Sequence, residues 1–302
     1  VVRHLATGDA RGLDEIHQRI GASTSLLGGS DGSGGYWISP DLANSVIDSA
    51  RARSVALRAG VQTVEMTSPE MRMVRVEEDP TISFTGEGNQ ITPSGIPFGA
   101  LRLVAKKLAC VISVSTELME DASNLSAELD RLLGEAMASV IDGAILAGTA
   151  KKGGIVGILG SAGIQEEAAP GSDKRLGWLN LLDSLQKIET ANLAEEAGLI
   201  LPPAMLRQLR GQTDSEGRFL TPPVDLAETP RWSSTQLPAT SGIHGRFAEV
   251  VLGVRSQLSI QVSPHIEFDK DRIMVRARWR GDVGLMRPAA LVHLSDFDGS
   301  VT

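Results

Sequence analysis

The sequence predicts a mixed helix-and-sheet protein, α/β or α+β, and three observations carry that reading. One long stretch, 124–148, keeps apolar residues at helical spacing. β-type runs flank it, at 71–77 and 100–115 before it and from 246 onward after it. Between 174 and 220 a helix, a short apolar strand and a second helix follow one another. At 302 residues the chain is long enough for one large domain or two ordinary ones.

Taken in order, the first 35 residues have mixed charge and end in the run Leu27 to Gly35, rich in Gly and Ser. Such a run builds no packed element and reads as a flexible arm or linker. Gly28, Ser30 and Gly32 match the nucleophile-elbow spacing, but no strand precedes them and no helix follows directly. Pro40 and Asp41 open a predicted helix with Leu42, Val46, Ile47 and Ala50 on one face. The runs 71–77 and 100–115 read as two antiparallel strands. Residues 78–99 between them are rich in Gly, Pro, Ser and Thr. A loop that long inside a compact domain is usually functional or held by a partner.

The long helix follows, its apolar stripe running Leu129, Leu132, Leu133, Ala136, Met137, Val140, Ile141, Ala144 and Ile145. Asp121, Ser123 or Asn124 would cap its start and Gly148 would end it. An apolar stripe backed by a charged face describes a helix lying across something flat. Residues 153–160 are punctuated by glycine. They lack the G-x-x-x-x-G-K-[ST] pattern of a phosphate loop and read as a turn. Next, Trp178, Leu179, Leu182, Leu185 and Ile188 mark a helix, Gly198 to Leu201 a buried strand, and Pro203 to Leu209 a helix with proline in its first turn. Asp214 to Arg218 read as a polar turn, and 221–245, rich in Pro, Thr and Ser, as loops. In the last β-type segment Ile273, Val275, Ala277 and Trp279 alternate with Arg272, Met274, Arg276 and Arg278.

Composition excludes several classes of function. With 29 basic and 37 acidic residues the net charge is −8, which suits neither nucleic-acid clamping nor counterion release. The single cysteine, Cys110, cannot form an intrachain disulfide. Placed inside an apolar run, it is expected to be a buried, inert thiol. No run approaches the ~18 apolar residues of a membrane span. The five histidines (His4, His17, His244, His265 and His293) show no metal-ligand spacing and are expected on the surface or in loops. The acidic groups Glu77-Glu78-Asp79 and Glu166-Glu167 read as solvated. Glycine is in excess, 32 of 302 against the usual ~7%, so turns and close backbone approaches are expected. Arg272, Arg276 and Arg278 share one side of a regular strand. Three readings stay open for them: a solvated face, a contact with carboxylates of another chain, or a contact with phosphates of packed nucleic acid.

Several short motifs, taken in order, resemble the major capsid proteins of tailed bacteriophages. These are Gly34-Gly35-Tyr36-Trp37-Ile38-Ser39-Pro40, then Ala105-Lys106-Lys107-Leu108, then Ile112-Ser113-Val114-Ser115-Thr116-Glu117-Leu118-Met119-Glu120-Asp121, and Leu146-Ala147-Gly148-Thr149 after the long helix. Gly157-Ile158-Leu159 and the late Arg287-Pro288 also fit. The resemblance covers about residues 30–290. It implies an α+β chain with the Hong Kong 97-type shell fold, arranged as an N-terminal arm (1–39), the first part of a peripheral domain (40–69), an extended loop (70–108), the peripheral domain with its spine helix (109–174), an axial domain (175–265) and return strands of the peripheral domain (266–302).

The resemblance also implies a non-enzymatic shell protein without cofactors or metal. It would assemble with itself into hexamers and pentamers around double-stranded DNA, in a virion built in the bacterial host cytoplasm. Portal, scaffolding or decoration proteins would be its partners, and no membrane would be involved. Glu77, Glu78 and Glu87 on the loop and Arg272, Arg276 and Arg278 on the last strand become candidates for inter-subunit contact. Cleavage of an N-terminal scaffolding segment, frequent in the family, would suit a chain beginning at Val1. The type member joins its subunits through an isopeptide bond between a loop lysine and a neighbour's asparagine. Here 78–99 contain no lysine and 264–280 no asparagine, so noncovalent stabilisation is expected. The alternatives are an encapsulin-like nanocompartment shell with the same fold and, from another class, a soluble α+β enzyme.

Overall fold

The computed structural model describes residues 36–37, 54–76, 98–115, 117, 125–150, 153–170, 174–263 and 270–298. The expected helix at 41–50, the caps at 121–124 and the candidate contacts Glu77, Glu78 and Glu87 lie outside the described residues. The chain divides into two units, Val1–Trp37 and Ile38–Thr302. Of the first, only the short strand β1 (Tyr36–Trp37) is described.

The second unit holds two larger sheets and a ribbon. In the first sheet the long strands β10 (Val250–Ser263) and β11 (Arg272–Leu285) pair antiparallel. β5 (Lys106–Ser115) runs antiparallel along β11, and β2 (Gln62–Glu65) runs parallel to the start of β10. Across it packs α2 (Leu125–Ala147). Leu133, Met137, Ile145 and Leu146 of the helix are buried in one cluster with Val114, Ile260, Val275, Ala277 and Trp279 of the sheet. The flat surface expected beneath the long helix is this sheet.

A short helix, α1 (Val55–Arg58), is pinned to α2 by a buried carboxylate. Asp142 accepts hydrogen bonds from Ser54 Oγ (2.6 Å), Val55 N–H (2.7 Å) and Ala56 N–H (3.2 Å). Ser54 Oγ in turn accepts from Leu57 N–H, so the two side chains together occupy the free donors of the first turn.

Two glycines let the chain cross the end of α2. Gly157 N–H donates to Gly148 O at 3.0 Å. A Cβ on Gly157 would lie 2.5 Å from Ala144 O, and one on Gly148 would lie 2.6 Å from Ile155 O. The glycine-punctuated stretch is thus a structural crossing that ends in a 3-10 turn at Ile158–Gly160.

The second sheet runs β6 (Gln165–Ala168), β12 (Leu291–Ser295), β9 (Gly242–Gly245), β7 (Gly198–Leu201), β8 (Arg231–Ser233). The helices α3 (Trp178–Thr190) and α4 (Pro203–Arg210) cover it, with Leu181, Ile188, Met205 and Leu209 meeting Leu199, Leu201, Val292 and Leu294. Ile200 and Ile243 point the other way, into the cluster beneath α2. Both faces are buried, which explains a strand of four apolar or small residues without alternation.

Three expectations change. Residues 221–245 are not all loop: they contain α5 (Val224–Ala227), β8 and the wholly buried β9. The Gly-Ile-His-Gly of β9 carries no strand pattern; pairing on both sides to β12 and β7 imposes it. The run 100–115 is two strands broken at Ala105, since β4 (Phe98–Val104) pairs with β3 (Glu70–Val76) in a separate ribbon. Cys110 is exposed rather than buried. It shares a side of β5 with Leu108, Ile112 and Val114, but β5 is the sheet's edge and no described residue covers it there.

Candidate assembly surfaces

On β11 the predicted alternation holds. Val275, Ala277 and Trp279 face the core, Arg272 and Arg276 are exposed, and Arg278 is half-buried. Arg280 continues the row, which at about 3.3 Å per residue extends it to about 26 Å. Its cross-strand neighbours are uncharged over most of its length. Arg276 faces Gln261 and Val111, Arg278 faces Ser259 and Ala109, and Arg272 faces Ser115. Arg276 donates to Gln261 Oε1, Arg278 Nε to Ser259 Oγ at 3.4 Å and Arg280 to Ala105 O at 3.5 Å. Among the described residues no carboxylate pairs with Arg272, Arg276 or Arg278. The structure therefore brings the three arginines into one row and leaves their charge unmatched there.

The β3–β4 ribbon is amphipathic across its two faces. Met71, Met73, Leu101 and Leu103 pack with Met66, Val251 and Met286 over the first sheet. Gly284 of β11 makes room for them: a Cβ there would lie 2.7 Å from Leu101 Cδ1 and 2.8 Å from Leu103 Cδ2. On the opposite face Glu70 pairs with Arg102 (2.7 Å) and Arg72 (3.1 Å). Hydrogen bonds from Arg102 first, then Arg72, lower the Glu70 pKa. Beyond this cluster Val74 and Phe98 are 68% and 64% exposed, an apolar surface that a partner could cover.

The root of the ribbon is held by Lys106 and Ala105 of the quoted motif together with Asp282, which no motif announces. Buried Asp282 accepts from Val104 N–H at 2.8 Å and lies 3.9 Å from Lys106 Nζ. Lys106 Nζ also donates to Gly154 O at 2.7 Å, and Ala105 N–H to Pro69 O at 2.9 Å. A lone acid among the apolar and small residues that end β11, at Asp282, was the available sequence signal.

Among the described residues no group of three or more His, Cys, Asp and Glu side chains could hold a metal ion. The expectation that every histidine is a surface or loop residue fails at His244, which is wholly buried in β9. Its Nδ1 lies 2.6 Å from Ser184 Oγ, which donates to Leu181 O. The geometry therefore assigns the tautomer with hydrogen on Nδ1, leaving Nε2 without a partner. Ser184 and His244 are both fully buried, so the pair holds α3 to the sheet and no substrate reaches it.

Burial pushes the His244 pKa down to about 4 from 6.5. The unfolded chain takes up a proton near pH 6.5 while the folded chain refuses it until about pH 4, so stability is lost as pH falls through this window. The expected loss is roughly 3 kcal/mol. Denaturant midpoints at pH 7 and pH 4.5 check it, with His244→Gln expected to flatten the slope.

Comparison with known proteins agrees with this architecture. The sequence model of the phage capsid family matches residues 34–296. The major capsid protein of Klebsiella oxytoca phage phiKO2 is 27% identical over 88 residues, 29% of this chain. The match spans about a fifth (21%) of that relative's length. Among solved structures, a protein of Mycobacterium phage Adephagia superposes with a TM-score of 0.68 at 18% identity, covering 82% of this chain and 91% of its own. The capsid of the native GTA particle, computed with C5 symmetry, gives 0.67 at 15% identity, covering 91% and 96%. At these identities the superpositions establish the fold, the Hong Kong 97-type shell fold, in its α+β form. With the family model spanning nearly all of the sequence, and the long helix, ribbon and two sheets in place beneath it, the chain belongs to the phage capsid family.

Proposed function

We propose that the chain is the major capsid protein of a tailed phage or prophage. It assembles with itself into hexamers and pentamers that close an icosahedral shell around double-stranded DNA. The observation that carries this reading is the family match across 34–296. The arginine row, which no carboxylate pairs among the described residues, and the exposed apolar face of the ribbon support it, because a neighbouring subunit would give both a partner. The capsid of the GTA particle, computed with C5 symmetry, supports pentamers by analogy of fold.

In this reading residues 1–39 form an arm and 70–108 an extended loop over a neighbour, with Glu77, Glu78 and Glu87 available to the neighbour's arginines. Residues 40–69, 109–174 and 266–302 form the peripheral domain, α2 is its spine, and 175–265 form the axial domain, whose sheet also takes in β6 and β12. The protein resides in the virion after assembly in the bacterial host cytoplasm, with portal, scaffolding or decoration proteins as its partners. A net charge of −8 encloses DNA without gripping it.

Particles purified from producing cells and treated with nuclease test the proposal. Protected double-stranded DNA is expected. Particles that hold a protein cargo and no DNA would favour the encapsulin-like compartment instead. Boiled in denaturant, the same particles are expected to run as single subunits; a ladder of linked subunits would refute noncovalent stabilisation.

A further inference from the structure

Among the described residues the second sheet ends at two unpaired edges of opposite charge. At the β8 edge, Arg207 and Arg210 lie exposed on α4 and Arg231 comes from β8. The three line one groove of about 450 Å³ with Pro203, Leu206 and Ser233. Arg231 is held in place: it donates to Leu226 O and its guanidinium sits 5.2 Å over the Trp178 ring. Its Nε is buried without a hydrogen-bond partner. Among the described residues no carboxylate pairs with any of the three. Burial, followed by the charge of Arg210, lowers the Arg231 pKa, as expected of a cation cluster lacking its counter-charge.

The β6 edge is acidic. Glu166 is exposed and its carboxylate makes no ion pair among the described residues. Glu167 pairs with Lys187 of α3 at 2.7 Å, and Asp183 lies one turn before that lysine. α3 is bound to this edge through Gln165 Nε2, which donates to Lys187 O.

Charges on opposite edges of one sheet cannot meet within a subunit. They meet in series, when the β8 edge of one copy lies against the β6 edge of the next. Two-fold apposition of either edge with itself would place like charges together, whereas head-to-tail apposition repeats and makes a ring when its rotation closes. Arginine's planar fork matches carboxylates. An acidic edge is present on every neighbouring copy, while a chain of net charge −8 repels a DNA phosphate. We infer that the α4–β8 arginine groove receives the acidic β6 edge of the next copy of this chain, head to tail around the capsomer. The inference rests on the assembly reading above and adds the surface that orients it.

Charge reversal in the full chain tests it, with shell yield read by electron microscopy and sedimentation. R210E and E166R are each expected to lower yield by about tenfold or more, since a contact repeated in every subunit multiplies small losses in affinity. The double variant R210E/E166R is expected to recover to within about threefold of the unaltered chain, because the pair is restored with its signs exchanged. R207E provides a second reversal at the same groove, and thermal melts of the dissociated subunits separate assembly defects from folding defects. Single variants that assemble normally, or a double variant no better than the singles, would overturn the inference. So would R210E shells that form at full yield but package less DNA, because the groove would then face phosphate. Failure of the unaltered chain to form shells would instead overturn the assembly reading, and the inference with it.

Discussion

Asp142→Ala is expected to lower the stability of the subunit by about 3–5 kcal/mol. The carboxylate is buried and serves three donors: the hydroxyl of Ser54 and the amides of Val55 and Ala56. Removing it leaves all three without that acceptor, at a place where Ser54 and Ala56 are themselves buried. Each buried donor left unsatisfied costs about 1–3 kcal/mol. Asp142→Asn keeps one acceptor oxygen and is expected to lose about half as much. Urea denaturation followed by circular dichroism measures both, and equal losses would show that charge rather than acceptor count matters.

Gly157→Ala is the second large effect, expected at about 3 kcal/mol or more. The added Cβ would lie 2.5 Å from Ala144 O, 2.5 Å from Gly148 N and 2.8 Å from Ile145 O. All three are backbone atoms, so relief requires the last turn of α2 to move away from the crossing segment. Gly153→Ala is the control. Its φ of +74° carries modest left-handed strain, but nothing lies within 4 Å of the added carbon. The thermal midpoint of Gly157→Ala is expected to fall several times further than that of Gly153→Ala.

These positions show where sequence reading succeeds and where it stops. The helix α2 is legible because one face is buried along most of its length, so its 3.6-residue period survives in the sequence, although Leu132, Ala136 and Val140 of the expected stripe are exposed. β11 is legible over 272–279 for the same reason with period two. Beyond 280 both faces are covered, the alternation ends at Gly281 and buried Asp282, and the pattern no longer marks a strand. β9 was hidden because four residues between two partners need no pattern of their own. The break at Ala105 was hidden because β-type runs flank it on both sides, separated only by Lys106 and Lys107, while the chain passes from ribbon to sheet.

Of the candidate contacts, the arginine row was visible as an alternation within one strand. The groove was not. Arg207 and Arg210 are separated from Arg231 by a polar turn, a short helix and a loop, and only the parallel pairing of β7 with β8 brings them together. Asp142 carried no local signal, since its partner Ser54 is 88 positions away. His244 looked like a loop residue because its strand was unseen. The glycine excess is explained in part by close approaches at Gly148, Gly157 and Gly284, where backbone or a packed side chain takes the place of a Cβ.

The central claim is that this chain builds a closed shell, and cryo-electron microscopy of the purified, concentrated protein tests it most directly. The account predicts closed icosahedral particles with fivefold and sixfold capsomers. A monodisperse monomer under every ionic condition tried would contradict it.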